Sequence, residues 1–200
     1  GALATVTNYR DPANRVTGAR SRGLLVGDFV AGNEPPGRYV PARTAEGRRH
    51  DGFNLVAADA TGVWWGSNRG GESTRLGRGI HALSNHLLGT PWPKVRRLRE
   101  GLADDLDAPA ATAIESLFDR LRDTRPVDDA DLPSTGVSLE WERLLGPPFI
   151  VSPTYGTRST TVVTIDHAGQ LRFEERSFGP DGAETGRTVH SLALPRPIGP

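Results

Sequence analysis

Cysteine is absent from the 200 residues, which excludes disulfides, cysteine-ligated zinc and a cysteine nucleophile within the chain given. Methionine is absent too, and Lys94 is the only lysine, leaving 23 of the 24 basic side chains as arginine. With the abundant Ala, Gly and Pro, this is the composition expected of a GC-rich bacterial genome. The 24 acidic residues cancel the basic ones and the pI is near 7.2. The cationic excess of a general nucleic-acid-binding surface is therefore missing. No run approaches the ~18 consecutive apolar residues of a membrane-spanning helix, and no secretory signal pattern is visible. The expectation is a cytoplasmic protein with no nucleic-acid partner and no membrane span.

What is present suits one domain over residues 1–200, with 179–200 as a C-terminal strand and tail. A chain of this length buries roughly 70% of its unfolded surface and needs no staple. Ala2–Thr7 alternates like a strand and runs into a Pro/Gly/Asn loop from Asn8 to Gly18. Ser21 is placed to cap a short helix carrying Leu24, Leu25, Val26, Phe29 and Val30, which Gly32-Asn33-Glu34-Pro35-Pro36 stops. Arg38–His50 is polar and ambiguous. Phe53–Ala58 and Gly62–Ser67 flank the turn Asp59-Ala60-Thr61 and predict a hairpin. A Gly-rich loop, Arg69–Gly79, then leads to a short expected strand at Ile80–Leu83.

The middle of the chain is helical by pattern. Pro93 suits a first helical position, followed at helical spacing by Val95, Leu98, Leu102 and Leu106. Ile114, Leu117, Phe118 and Leu121 form a second stripe. Glu100, Asp104, Asp105 and Asp107 are then expected along a solvated edge. Arg122–Pro148, rich in Asp, Pro and Gly, has the composition of a long connection. Thr161–Ile165, Leu171–Arg176 and Thr188–Leu192 predict three closing strands, with turns at Asp166-His167-Ala168-Gly169 and Pro180-Asp181-Gly182. Strands at both ends of a helical centre place the chain in the α+β class.

Familiar chemical signatures are missing. There is no phosphate-binding G-x-x-x-x-G-K-[ST], no H-E-x-x-H, no EF-hand loop and no G-x-S-x-G. The five histidines are scattered, and His81 and His86 lack the i, i+4 spacing that puts two ligands on one helix face. Metal binding is not expected. The formal myristoylation spacing Gly1-x-x-x-Thr5 lies in a core-like strand and is read as coincidence.

Polar clusters in turns and at strand ends remain: Thr7-Asn8-Tyr9-Arg10, Ser67-Asn68-Arg69, Ser84-Asn85, Thr90-Pro91-Trp92-Pro93-Lys94 and Tyr155-Gly156-Thr157-Arg158-Ser159. An Asn amide offers two donors and an acceptor and can stabilise a developing oxyanion. A guanidinium flanked by hydroxyls, as at Arg158, can grip a carboxylate through two hydrogen bonds. The same residues serve equally well as local caps or structural ion pairs. The candidate ligand-binding set is Asn8, Arg10, Asn68, Arg69, Asn85, Trp92, Tyr155 and Arg158, with no catalytic residue assigned.

With Ser21-Arg22-Gly23-Leu24-Leu25, Gly52-Phe53-Asn54-Leu55 and Leu83-Ser84-Asn85 in the same order, these clusters resemble the Transport and Golgi organisation family. It is also called the NRDE family, after an Asn-Arg-Asp-Glu signature near its N-terminus. The resemblance runs from about Ala2 to about Phe178. It implies an N-terminal-nucleophile hydrolase-like fold, a four-layer αββα sandwich of two antiparallel sheets. This sequence then looks like a member lacking its first segment and first strand, which carry the family's early cysteine and the signature.

A more distant resemblance is to linear-amide hydrolases such as penicillin V acylase and bile salt hydrolase. By that analogy Asn8 helps form an oxyanion hole, Asn85 matches a second active-site Asn, and Arg158 matches an Arg beside the nucleophile. The three are expected to gather around one hollow. Gly1 offers no hydroxyl or thiol, so the function implied is non-catalytic. It is the handling or transfer of haem, within a family tied to haem trafficking and secretory or Golgi organisation. Trp64, Trp65, Trp92, Arg69 and Arg158 are candidate contacts, and the missing Cys-x-x-Cys-His makes any haem binding reversible. The alternative is an amide hydrolase whose cysteine nucleophile lies upstream of Gly1, acting on an acyl-amide. A third is an interaction domain with neither ligand nor activity.

Overall fold

Alternation of Leu3, Thr5 and Thr7 with Ala4, Val6 and Asn8 makes β1 (Leu3–Asn8) a two-faced strand. It pairs antiparallel with β2 (Phe53–Asp59), which continues through a tight hairpin into β3 (Gly62–Ser67). The hairpin is closed locally: the Asp59 carboxylate accepts hydrogen bonds from the Thr61 amide (2.7 Å) and hydroxyl (2.6 Å). Gly62 follows at φ +138°, a conformation that costs little without a Cβ. β4 (Thr74–Leu76) completes a four-stranded sheet in the order β1-β2-β3-β4.

The computed structural model describes residues 1–46, 49–105, 110–195 and 198–199. The chain forms two compact units. The first is Gly1–Thr90 with His167–Gly169 and Leu194–Pro200, and the second is Pro91–Asp166 with Gln170–Ala193. In the first, helices α1 (Gly23–Ala31) and α2 (Pro36–Ala45) cover one face of the sheet. Leu25 and Phe29 of α1, Tyr39 and Val40 of α2, and Phe53, Leu55 and Ala57 of β2 form the core, with Ala4, Val6 and Trp64 packed against it. A fully buried phenylalanine such as Phe53 contributes about 2–3 kcal/mol. Gly66 lets α2 approach closely, because a Cβ there would meet Val40 Cγ1 at 2.8 Å.

The opening strand, the first helix and the hairpin follow the sequence pattern, and several expectations are corrected. Ser21 does not cap α1 as a boundary residue: the N-cap is Arg22, without a side-chain cap bond, while the Ser21 hydroxyl accepts from the Gly23 amide at 3.3 Å. The ambiguous stretch Arg38–His50 opens in helix α2, which already begins at Pro36 of the expected stop. Pro36 suits its first turn, and Tyr39 anchors it by donating to the Leu25 carbonyl at 2.8 Å. The expected strand at Ile80–Leu83 is irregular, and β4 lies inside the Gly-rich loop instead. Pairing with Val63, Trp64 and Trp65 supplies what that loop's own sequence does not.

The second unit holds α3 (Pro93–Asp105), α4 (Ala110–Leu121), α5 (Leu139–Leu144) and a three-stranded antiparallel sheet. The sheet runs β5 (Ser159–Ile165), β6 (Gln170–Phe178) and β7 (Glu184–Ala193), with α4 packed against β5. Leu106 and Asp107 lie outside the described residues. Asp105, expected on a solvated edge, is buried instead. It receives Arg120 through two nitrogens and the Ser116 hydroxyl, tying the end of α3 to α4. The supposed connection Arg122–Pro148 contains α5, whose N-cap Ser138 accepts from the Trp141 amide at 3.4 Å.

On the helix-facing side of β6, Glu174 is fully buried and ion-paired to Arg172, Arg176 and Arg187. Arg176 also bonds Glu115 and lies 3.8 Å from the Phe118 ring centroid. Burial pushes the Glu174 carboxyl up, but its hydrogen bonds to the three arginines outweigh that and hold its pKa below the ordinary value.

Candidate functional site

At one end of the four-stranded sheet, the exit of β1, the entry of β2 and the exit of β3 converge with the 77–90 loop. The register places Asn8 opposite Phe53 and Asn54 opposite Ser67. Four of the candidate residues lie here in two hydrogen-bonded pairs, Asn8 with Asn85 and Asn68 with Arg69. Asn85 donates from its side-chain amide to the Asn8 carbonyl (2.9 Å), and its own carbonyl accepts from the Arg10 amide (2.7 Å). Asn68 accepts from the Phe53 amide (2.8 Å) and donates to the Asp51 carbonyl (3.2 Å). The Phe53 carbonyl in turn accepts from the Asn68 amide (3.3 Å). Arg69 pairs through Nε with Asp11 (2.9 Å) and donates to the Asn14 carbonyl (2.9 Å).

These bonds have chemical consequences. Burial pushes the Asp11 carboxyl up, yet hydrogen bonds from Asn14 and Arg69 outweigh it and hold its pKa below the usual range. Arg69, with its Asp11 pair, is a poor partner for a ligand carboxylate. The local hydroxyls are hydrogen-bonded as well. Thr7 donates to the Ser84 carbonyl (3.0 Å), Ser67 to the Phe53 carbonyl (2.8 Å) and Thr90 to the Leu87 carbonyl (2.8 Å). The Thr90 hydroxyl also lies 2.9 Å from His86 Nδ1, and the imidazole tautomer sets which of the two donates.

Asn8 differs from the other three. It is exposed, and its side-chain amide has no hydrogen-bond partner among the described residues. Asn54, which sequence reasoning quoted only as part of a motif, has the opposite environment. It is fully buried and donates to the Thr7 hydroxyl (3.2 Å) and the His86 carbonyl (3.0 Å), tying β1, β2 and the 77–90 loop together.

The remaining candidates belong to the second unit. Trp92 is buried just before α3, with the Lys94 ammonium 5.9 Å from its ring. Tyr155 sits on a loop closed by Ile150 and Thr157, whose backbones bond at 2.9 Å, and Arg158 follows that closure. Tyr155 meets Trp141 edge-on at 5.5 Å, and the two rings are 46% and 44% exposed. Arg158 enters β5 exposed, its carbonyl accepting from the Phe178 amide at 2.8 Å. Among the described residues its guanidinium has no ion-pair partner. Trp141 escaped the sequence reading because its segment looked like a connection. The signal was Ser138, a good N-cap residue, ahead of the acids Glu140 and Glu142.

Among the described residues, no group of three or more His, Cys, Asp or Glu side chains could hold a metal ion. No described helix is long and apolar enough to cross a membrane.

Comparison with known proteins matches residues 1–180 to the family described as Transport and Golgi organisation 2. The Bos taurus Transport and Golgi organization protein 2 homolog is 32% identical over 209 residues, covering 97% of this chain and 75% of that protein. The Mus musculus and Homo sapiens homologues are each 30% identical over 191 residues, covering 89% of this chain and 69% of theirs.

Proposed function

Because the chain belongs to the Transport and Golgi organisation 2 family, we propose that it is a non-catalytic handling protein that binds and passes on haem reversibly. The observation that carries this reading is the solvent-facing Trp141–Tyr155 pair, followed three residues on by Arg158, which has no ion-pair partner among the described residues. Exposed aromatic rings offer a platform for a flat apolar macrocycle, and a free guanidinium suits a propionate. The other cations and rings named from the sequence fit less well, since Arg69 is paired to Asp11 and Trp65 and Trp92 are buried. Each unit also has the helix-on-sheet layering that an αββα sandwich of the N-terminal-nucleophile type uses twice. The test is titration of the protein with haem. A saturating red shift of the Soret band at micromolar concentrations is expected, and a spectrum of free haem throughout rejects the reading.

A second reading, an amide hydrolase with its nucleophile upstream of Gly1, is favoured by the free and exposed Asn8 amide at a strand end, a suitable oxyanion donor. It predicts turnover of acyl-amides that falls on Asn8→Ala. No turnover across an acyl-amide panel rejects it.

A further inference from the structure

The second unit contains a cleft of about 450 Å³, within the range of small-molecule sites. Its walls carry four guanidiniums, from Arg97, Arg120, Arg122 and Arg125, against two carboxylates, Asp119 and Asp123. Two of the cations are neutralised in place. Arg125 binds Asp123 through Nε (2.9 Å) and a terminal nitrogen (2.7 Å), and Arg120 binds Asp105 through two nitrogens.

The other two donate to backbone carbonyls. Arg97 donates to the carbonyls of Arg125 (2.9 Å) and Pro126 (3.0 Å) and makes a longer ion pair with Asp123 at 3.8 Å, a carboxylate whose closer contacts go to Arg125. Arg122 donates to the Gly182 carbonyl (3.2 Å) and lies 5.2 and 5.7 Å from the ring centroids of Phe178 and Phe149. Carbonyls and ring faces orient a guanidinium without cancelling its charge. The cleft wall thus carries two ordered guanidiniums, Arg122 with no ion-pair partner among the described residues and Arg97 sharing the Asp123 carboxylate with Arg125.

We infer that this cleft binds a small molecule through an oxyanion, phosphate or carboxylate, with Arg97 and Arg122 as the cationic pair. Asp119, which has no ion-pair partner among the described residues, opposes that anion and limits its affinity. The assignment is independent of the haem reading, since it uses none of the residues of the Tyr155–Arg158 loop.

The experiment is calorimetric titration of the protein with inorganic pyrophosphate and, separately, with citrate. Saturable binding of one or both is expected, and the stronger response identifies phosphate or carboxylate as the recognised group. Arg122→Gln should weaken binding on the order of tenfold, as for loss of a charge-assisted hydrogen bond. Arg122 also seats against Phe149 and Phe178, so its removal can disturb packing. Asp119→Asn, at an exposed position, avoids this and should strengthen binding about threefold, a rise that loss of structure does not produce. Failure of both probes to bind at millimolar concentration, or binding that neither substitution changes, overturns the assignment.

Discussion

The Asn85 side-chain amide donates to the Asn8 carbonyl at 2.9 Å across 77 residues of sequence, and the Asn85 carbonyl accepts from the Arg10 amide at 2.7 Å. One residue of the 77–90 loop thereby fixes the chain as it leaves β1. Such brackets, repeated at Asn54 and Asn68, give this end of the first unit its order.

Removing a bracket should cost stability in proportion to its burial. Asn85→Ala is expected to lose about 1 kcal/mol, and Asn68→Ala about 2 kcal/mol, because the latter strands the Phe53 amide. For a chain of this size each kcal/mol lowers Tm by roughly 2–4 °C. Asn8→Ala, which removes only a solvent-facing amide, should change Tm by less than about 1 °C. Thermal melts of the three variants check the order, and equal losses would contradict it.

Gly52 is enclosed: a Cβ there would meet Tyr9 Cβ at 2.9 Å and Arg69 Nε at 3.2 Å. Tyr9 Cβ is fixed to its backbone and cannot rotate away. Gly52→Ala should therefore destabilise by about 1–3 kcal/mol, read from the urea midpoint. A neutral result would show that the β1 exit yields readily.

Glu174 should shape the acid side of the stability curve. Its folded pKa is lowered, so its contribution is complete above the ordinary glutamate value of roughly 4.3. That contribution is lost as pH falls through the folded value. Glu174→Gln should lose about 3 kcal/mol at pH 7, as a broken buried ion pair does. Its stability should then fall less than the parent's between pH 5 and pH 3. Parallel curves for the two proteins would remove Glu174 from the account.

The exposed aromatic pair should separate stability from binding. Trp141→Ala and Tyr155→Ala remove half-exposed rings and should each cost less than about 1 kcal/mol of stability. If the rings form the haem platform, each should also weaken haem binding about tenfold. Unchanged affinity in both variants would move the ligand elsewhere on the protein.

Much of the fold was legible in advance for reasons that can be named. The β2–β3 hairpin shows in the two strand-like runs that flank the Asp59-Ala60-Thr61 turn, where the hydrogen bonds are local. The α3 and α4 stripes show because amphipathic spacing does not depend on the partner. Helices α2 and α5 were hidden for opposite reasons. α2 carries Pro36, Gly37 and Pro41 yet is held by burial of Tyr39 and Val40, whereas α5 is too short for its stripe to repeat.

The candidate site divides along the same line. Sequence alone determined which residues carry useful chemistry, since an amide or a guanidinium has the same donors wherever it sits, and it determined the strands and turns that present them. Only the tertiary structure decided what each group is free to do. Asn68, Asn85 and Arg69 find partners 15 to 77 residues away and are spent on them, while the side chains of Asn8 and Arg158 have none among the described residues. Hydrogen bonds and ion pairs saturate, and the partner that saturates each one is brought there by the long-range packing of the chain.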